Sequence, residues 1–411
     1  MVTIDADTSR FVEQHKNDDV RKLALESKKF PSIDMPFALS QIAGRQTART
    51  KLPEWAVKPN IIYPPHLSME QCSSESAARY KVSVVERLIA SGQLNAGSMT
   101  DLTGGFGVDF SFLAKPFDHA TYVEMQQNLC DIAENNFHQL ELGNAEVVCG
   151  DSTDFLQAMK PQNFIYLDPA RRNANGGRTY AIEDCTPNVK ALNNLLLQKA
   201  TVVMVKLSPM LDWRKAVAEL RGVSEVHIVS VNNECKELLV VMTRKTVVVD
   251  SIRVVCVNDD RQLSYSLDED KQSKVVMAEA LSEMSVAEDG SRQLYLFEPN
   301  ASIMKAGCFS LLCQRCHLAK VGKNSNLFIS SDETADFPGR RFVVDDVTSL
   351  NKKGLKQSLA GINSANVAVR NFPLTVQELR KRLKLKDGGD IYIFATTDSA
   401  NRHLLLVCRK F

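Results

Sequence analysis

Between residues 97 and 242 short apolar runs alternate with stretches of helical spacing, and this alternation constrains the fold more than any other feature of the chain. The runs are Ser98–Leu102, His119–Val123, Ala145–Cys149, Phe164–Leu167, Thr201–Val205, Glu225–Val231 and Glu237–Met242. Helical stretches such as Met125–Gln139 and Asn188–Lys199 fill most of the gaps. Continuous apolar strands separated by helices imply a mostly parallel sheet covered on both faces. Only about NNECK separates the last two runs, too short for a helical crossover, so these two are expected to pair antiparallel.

The rest of the chain divides around this core. A length of 411 residues exceeds one ordinary core. Residues 1–95 read as a helical region, with FVEQHKNDDVRKLALESKKF and SSESAARYKVSVVERLIASG at helical spacing and a proline-rich connector between them. Ser73 or Ser74 is the expected N-cap of the second helix. The expected architecture is α/β: a Rossmann-like, seven-stranded sheet over 96–242, then small α+β domains over 243–330 and 331–411.

Hydrophobic residues at 44% and charged residues at 24% argue against disordered and fibrous classes. No apolar run is long enough for a bilayer, and the opening MVTIDADTSRF lacks the features of a signal peptide. A cytoplasmic protein with no membrane role is expected, with its ten cysteines reduced. Charge is uneven. Residues 340–411 hold 14 Lys and Arg against 6 Asp and Glu, a balance of +8, which leaves −7 for the remainder of a chain whose total is +1. One domain meeting a polyanion accounts for such a split.

Chemistry concentrates at the ends of the strand runs. Asp101-Leu-Thr103-Gly104-Gly105-Phe-Gly107-Val-Asp109 follows the first strand and opens a helix, so its glycines permit positive φ and close approach of a ligand. The position three after Gly107 is Phe110, not the glycine of a dinucleotide fingerprint. Asp101 would repel a pyrophosphate but can hold an amino group. Glu124 ends the second strand, where a carboxylate can accept both ribose hydroxyls, and Asp151 follows the third, placed to accept from an adenine amine. Ligands of open α/β sheets bind at the carboxyl ends of the strands. A glycine loop with this series of carboxylates describes a pocket for S-adenosylmethionine. Each carboxylate taken singly reads as a solvated loop residue; the ordered series is the signal.

Asp168-Pro169-Ala170-Arg171-Arg172 ends the fourth strand. There Asp168 can orient an acceptor NH2 for in-line displacement, Pro169 can fix the loop, and Arg171 and Arg172 can hold phosphates. Lys206 ends the fifth strand and is a candidate for the same crevice or for solvent.

These segments resemble the ordered motifs of class I S-adenosylmethionine-dependent methyltransferases, and the glycine loop resembles those of bacterial RNA methyltransferases. CSSESAARYK, EPNASIMKAG and RNFPLTVQELRKRLKLKDGGD resemble a bacterial methyltransferase family with C-terminal ferredoxin-like and THUMP-like domains. That resemblance implies a methyltransferase domain at 96–242, a ferredoxin-like domain at 243–330 and a basic THUMP-like domain at 331–411. It also implies an RNA substrate, rRNA or tRNA, modified at a base. Ala170 and Arg171 replace the second proline and the aromatic residue common in amino-methylating relatives. Base stacking is therefore expected from elsewhere, with Phe106 and Tyr180 as candidates.

The residues themselves add a basic helix. Thr375 and Glu378 have capping-box spacing, Val376, Leu379 and Leu383 form an apolar stripe, and Gly388 is the expected terminator. Arg380, Lys381, Arg382, Lys384 and Lys386 crowd the other face, suited to phosphates. Cys313-Gln-Arg-Cys316-His317 has haem-attachment spacing, but CFSLLCQRCHLAK reads as one helix with a buried Cys308, Leu312, Cys316 stripe, so no metal is expected. Two further readings remain open: a catalytically silent RNA-binding or assembly factor, and a small-molecule methyltransferase with a solvated basic tail.

Overall fold

The computed structural model describes residues 5–171, 182–279, 293–334 and 336–411. They form two compact units, Met1–Val226 with Lys236–Val248, and His227–Cys235 with Val249–Phe411.

The first unit begins with helices Ala6–His15, Val20–Leu25, Met35–Lys51, Pro53–Ala56, His66–Gln71 and Glu75–Ala90. The first expected helix is broken in two because Asp19 caps Val20–Leu25, accepting from the amides of Arg21 and Lys22. Ser74 caps Glu75–Ala90 through the Ala77 amide. Between these helices the connector at 61–63 is pinned by two side-chain amides. Gln41 exchanges 2.8 Å bonds with the Tyr63 backbone, and Asn136 does the same with Ile62. An extended segment without strand neighbours thereby satisfies its backbone. Trp55, Ile62 and Tyr63 share one apolar cluster with Phe106, Val108 and Phe112, so the N-terminal region packs directly on the glycine-loop helix.

The sheet strands are β1 (Ser98–Asp101), β2 (His119–Glu124), β3 (Ala145–Cys149), β4 (Gln162–Leu167), β7 (Ala200–Leu207), β8 (Val223–Val231) and β9 (Glu234–Thr243); a two-stranded ladder, β5 (Ala170–Arg171) with β6 (Cys185–Thr186), branches off after β4. β1 pairs in parallel with β2 and β4, β2 with β3, and β4 with β7. β9 lies antiparallel to β7, and β8 and β9, the two strands joined by the short connector, are hydrogen-bonded neighbours. That connector is tighter than expected: Asn232 and Asn233, at φ of 51° and 59°, turn β8 into β9, a conformation Asn tolerates. The hydrogen-bonded order is β11-β10-β8-β9-β7-β4-β1-β2-β3, with β10 (Arg253–Asn258) and β11 (Arg261–Ser266) as an added antiparallel hairpin. The sheet has nine strands rather than seven, because IRVVCV and QLSYSL extend it at the β8 side.

In the second unit β12 (Leu294–Pro299), β13 (Ala319–Lys320), β14 (Phe328–Ser330), β15 (Gly339–Thr348), β16 (Asn366–Arg370), β17 (Ile391–Thr397) and β18 (His403–Lys410) form a second sheet in the order β13-β14-β12-β15-β18-β17-β16. β12 pairs with both β14 and β15, so one sheet runs through both small C-terminal segments. The helix expected across Ile303–Leu318 is two, Ala301–Ala306 and Phe309–Arg315, because Gly307 adopts φ 73° and ends the first. Cys308 and Leu312 are buried as expected, while Cys316 stands at the helix end. Among the described residues no helix is long and apolar enough to cross a membrane, and no group of His, Cys, Asp or Glu has metal-ligating geometry.

Candidate functional site

β1 lies between β4 and β2, so the chain's crossovers diverge to either side of it and leave a crevice at its carboxyl end. The glycine loop fills the turn from Asp101 to helix Val108–Leu113. A Cβ on Gly104 would stand 2.1 Å from the ring of Tyr122, which is fully buried. Gly107, at φ 84°, closes the turn against Phe137. The loop is thus laid flat on β2 by residues that no side chain can replace. Gly104→Ala should therefore displace the loop and weaken binding of a ligand at this edge by about tenfold or more, roughly 1.4 kcal/mol; isothermal titration against the wild-type chain checks it.

Three carboxylates stand at successive strand ends, as expected. Asp101 is 1% exposed and accepts from the Thr103 amide at 2.9 Å. Burial pushes its carboxyl up to about 8, with the charges of Asp109 and Asp168 adding to the effect and the Thr103 bonds opposing it. Glu124 receives the Gly105 amide at 3.0 Å on one oxygen and the Gln126 amide at 2.9 Å on the other, tying the end of β2 to the glycine loop. Asp151 caps helix Ser152–Ala158 through the Thr153 and Asp154 amides, at 2.7 and 3.1 Å, all on one oxygen. Met125, next to Glu124, is 60% exposed, an apolar surface at the rim.

At the end of β4 the Asp168 amide donates to Thr103 Oγ1 at 2.6 Å, locking this strand end to the glycine loop. Lys206 Nζ donates to Asp168 Oδ2 at 2.5 Å and stands 3.9 Å from Asp109 Oδ2. Lys206 is thus an ion-paired group within the site. Burial alone would lower the Lys206 ammonium; Asp168, Asp109 and Glu237 hold it above the usual lysine range. Pro169 leads into β5, and the Ala170–Arg171 backbone pairs with Cys185–Thr186. Arg172 and Tyr180 lie outside the described residues, as does the Arg171 side chain. Phe106 is 5% exposed, packed edge-on to Trp55 at 4.9 Å, and cannot stack on a substrate base. That expectation fails because the N-terminal region covers the loop's apolar side.

Beneath the edge lies a buried charge network. Lys81, fully buried, contacts Glu237 at 2.8 Å, Asp109 Oδ1 at 3.1 Å and Ser73 Oγ at 3.3 Å. Asp109 Oδ2 accepts from Ser73 at 2.8 Å and from the Tyr166 hydroxyl at 2.7 Å. Burial alone would raise Asp109, but Lys81 and Lys206, aided by the Tyr166 and Ser73 bonds, pull it down to about 2. A signal existed: Lys81 interrupts the stripe Ala77, Ala78, Val84, Val85, Leu88 on the buried face of its helix.

In the second unit helix Val376–Leu383 carries the expected capping box and buries Leu379 and Leu383. It ends at Lys384, which adopts φ 57°, not at Gly388, because Leu385 turns back into the core. Arg380 pairs with Asp387 at 2.6 Å. Lys381, Arg382 and Lys384 are exposed, with no ion pair among the described residues.

The sheet order, the glycine loop and the row of strand-end acids define the Rossmann-like methyltransferase fold. Residues 295–338 match the model of a ferredoxin-like domain, and residues 339–410 match the model described as THUMP domain-like. The chain is similar over its whole length to a Porphyromonas gingivalis W83 protein provisionally described as a methyltransferase, at 28% identity, full coverage of both chains and a TM-score of 0.83. A methyltransferase-like protein of Escherichia coli shares 18% identity over 41% of this chain and 86% of its own, at a TM-score of 0.29. A Pyrococcus horikoshii protein provisionally described as an RNA methyltransferase shares 12% over 49% and 99%, at 0.35. No curated protein matches the chain.

Proposed function

We propose that this chain is an S-adenosylmethionine-dependent methyltransferase acting on RNA, at an exocyclic amino group of a base. The observation that carries the reading is the convergence of Asp101, Glu124, Asp151 and Asp168 on the carboxyl edge of four neighbouring strands around one glycine loop. When bound, the cofactor supplies a methyl group already activated on a sulfonium. The residues present fit it. Asp101 suits the amino group, Glu124 retains acceptor capacity for ribose hydroxyls, Asp151 has an oxygen beyond its capping bonds for the adenine amine, and Met125 offers an apolar face. Gly104 and Gly105 let the backbone approach.

Asp168 is the residue that orients the acceptor. Lys206 engages one of its oxygens, and the carboxylate retains acceptor capacity to accept from an NH2 and direct the nitrogen lone pair outward. The basic helix of the second unit supports RNA as substrate, because Lys381, Arg382 and Lys384 leave their charges to solvent. The deciding experiment is incubation with tritiated cofactor and fractionated cellular RNA, followed by nucleoside mass spectrometry. Cofactor binding without transfer to RNA would favour a silent RNA-binding factor or a small-molecule enzyme, and titration with RNA would separate these two.

Two outcomes follow directly. At pH 7 a carboxyl held near 8 is mostly protonated, and an incoming ammonium favours its ionised form. Cofactor binding should release a proton there, and affinity should rise as pH increases toward 8. Titration calorimetry in buffers of different ionisation heat measures both; Asp101→Asn should abolish the release. Replacing Lys381, Arg382 and Lys384 together by alanine should weaken RNA binding and flatten the dependence of log K on log salt by about 2, from ~0.7 per phosphate contact.

A further inference from the structure

The second unit contains a cavity of about 180 Å³, walled by Glu298, Arg340 and Arg370 with Asn233, Pro299 and Met304. Glu298 on β12 sits opposite Arg340 on β15, and Arg370 ends β16. The Glu298 side chain is 7% exposed, whereas those of Arg340 and Arg370 are 41% and 37% exposed. Arg340 Nε reaches Glu298 Oε2 at 2.7 Å, with its Nη2 on the same oxygen, and Arg370 Nη2 reaches Oε1 at 2.5 Å.

One carboxylate therefore holds two guanidiniums that come from different strands. A single arginine would neutralise Glu298, so the second leaves a surplus positive charge at a partly open cavity. Among the described residues no other carboxylate pairs with either arginine. Guanidinium forks match phosphate oxygens, and a held guanidinium loses little freedom on binding one. The volume is below the roughly 300 Å³ at which pockets take whole metabolites, so the fit is to one small anionic group. Met304, 37% exposed, and Pro299 give the rim an apolar side against which a sugar can lie.

We propose that Arg340 and Arg370 form a phosphate-binding subsite that takes one backbone phosphate of the RNA. The identity of the phosphate as part of RNA rests on the function proposed above; the affinity of the cavity for phosphate does not. Glu298 holds both guanidiniums in register and limits the affinity, so that the subsite releases its phosphate readily.

The test uses the full-length chain and the variants Arg340→Gln, Arg370→Gln and Glu298→Gln. A labelled single-stranded oligo(A) RNA is titrated at several KCl concentrations. Melting midpoints are recorded with and without millimolar inorganic phosphate at matched ionic strength. Each arginine variant is expected to flatten the log K against log salt slope by about 0.7 and to lose the phosphate-induced rise in midpoint. Glu298→Gln is expected to bind RNA severalfold more tightly, because the charge of the carboxylate in the cavity wall is gone while an acceptor remains. Arginines that merely clamp Glu298 would lower the midpoint without phosphate yet leave the slope and the phosphate-induced rise unchanged, and that result overturns the proposal. Should the wild-type chain ignore RNA but show a phosphate-induced rise that both arginine variants lose, the subsite stands and the RNA reading falls. No rise and no change in slope removes the subsite.

Discussion

Asp168→Asn is expected to lower methyl transfer by about 10²–10³-fold while leaving cofactor affinity within a few-fold of wild type, the size of effect seen when one positioned acid–base or orienting group is lost. The amide keeps the shape of the side chain, so the Asp168 backbone bond to Thr103 and the end of β4 stay in place. The charge is lost. Lys206 then has Asp109, 3.9 Å away, as its nearest remaining carboxylate and turns toward it, while a substrate NH2 meets a neutral amide that orients it weakly. Single-turnover transfer of a tritiated methyl group, read beside calorimetric binding of the cofactor, separates the two effects. Activity equal to wild type would show that Asp168 is only a strand-end ion pair.

Lys81→Met is expected to destabilise the first unit by about 3–5 kcal/mol, because removing one member of a buried ion pair leaves its partners charged in a medium that cannot solvate them. The partners are Glu237 and Asp109, both on positions with almost no access to water. The sign with pH follows from Asp109. Its carboxyl is held near 2 in the wild-type fold, so the stability it contributes is present above its ordinary value of 3.8 and lost as pH falls through about 2. Without Lys81 that depression weakens and protonation relieves the buried charge, so the deficit of the variant should narrow on acidification. Denaturant titrations at several pH values, following the Trp55 and Trp213 fluorescence of the first unit, measure it. A deficit below 1 kcal/mol, or one that widens toward acid, would show that the network contributes little there.

Much of this fold was legible because local patterns agreed with the tertiary outcome. Buried strands in a parallel sheet are apolar on both faces, and all seven runs in the central segment became strands of one sheet. That β8 and β9 lie side by side followed from a connector too short to cross over. The capping box at Thr375 and Glu378 is a contact between residues three apart, so its outcome hardly depended on anything distant. That IRVVCV and QLSYSL add two strands to the expected seven was not legible, because an apolar strand carries no mark of which sheet edge it will join. The helix expected through Gly307 and the terminator expected at Gly388 failed for a related reason. A glycine permits a left-handed residue, but whether the chain uses it depends on where the next apolar side chain must go.

The candidate site divides along the same line. Asp101, Glu124, Asp151 and Asp168 were readable because each follows a strand, and strand ends of an open parallel sheet share an edge. Phe106 was misjudged because its partners, Trp55 and Tyr63, lie far away along the chain. Lys81 and Glu237 are 156 residues apart and 2.8 Å from each other. By itself, then, the sequence determined the alternation of elements, the strand-end chemistry and the charge imbalance, all consequences of periodicity and composition over a few neighbouring residues. Only the tertiary structure decided which edge the hairpin extends, which aromatic is covered, and which charges meet in the interior. Those outcomes depend on long-range packing, where a buried ion must find its counter-charge wherever the fold brings one.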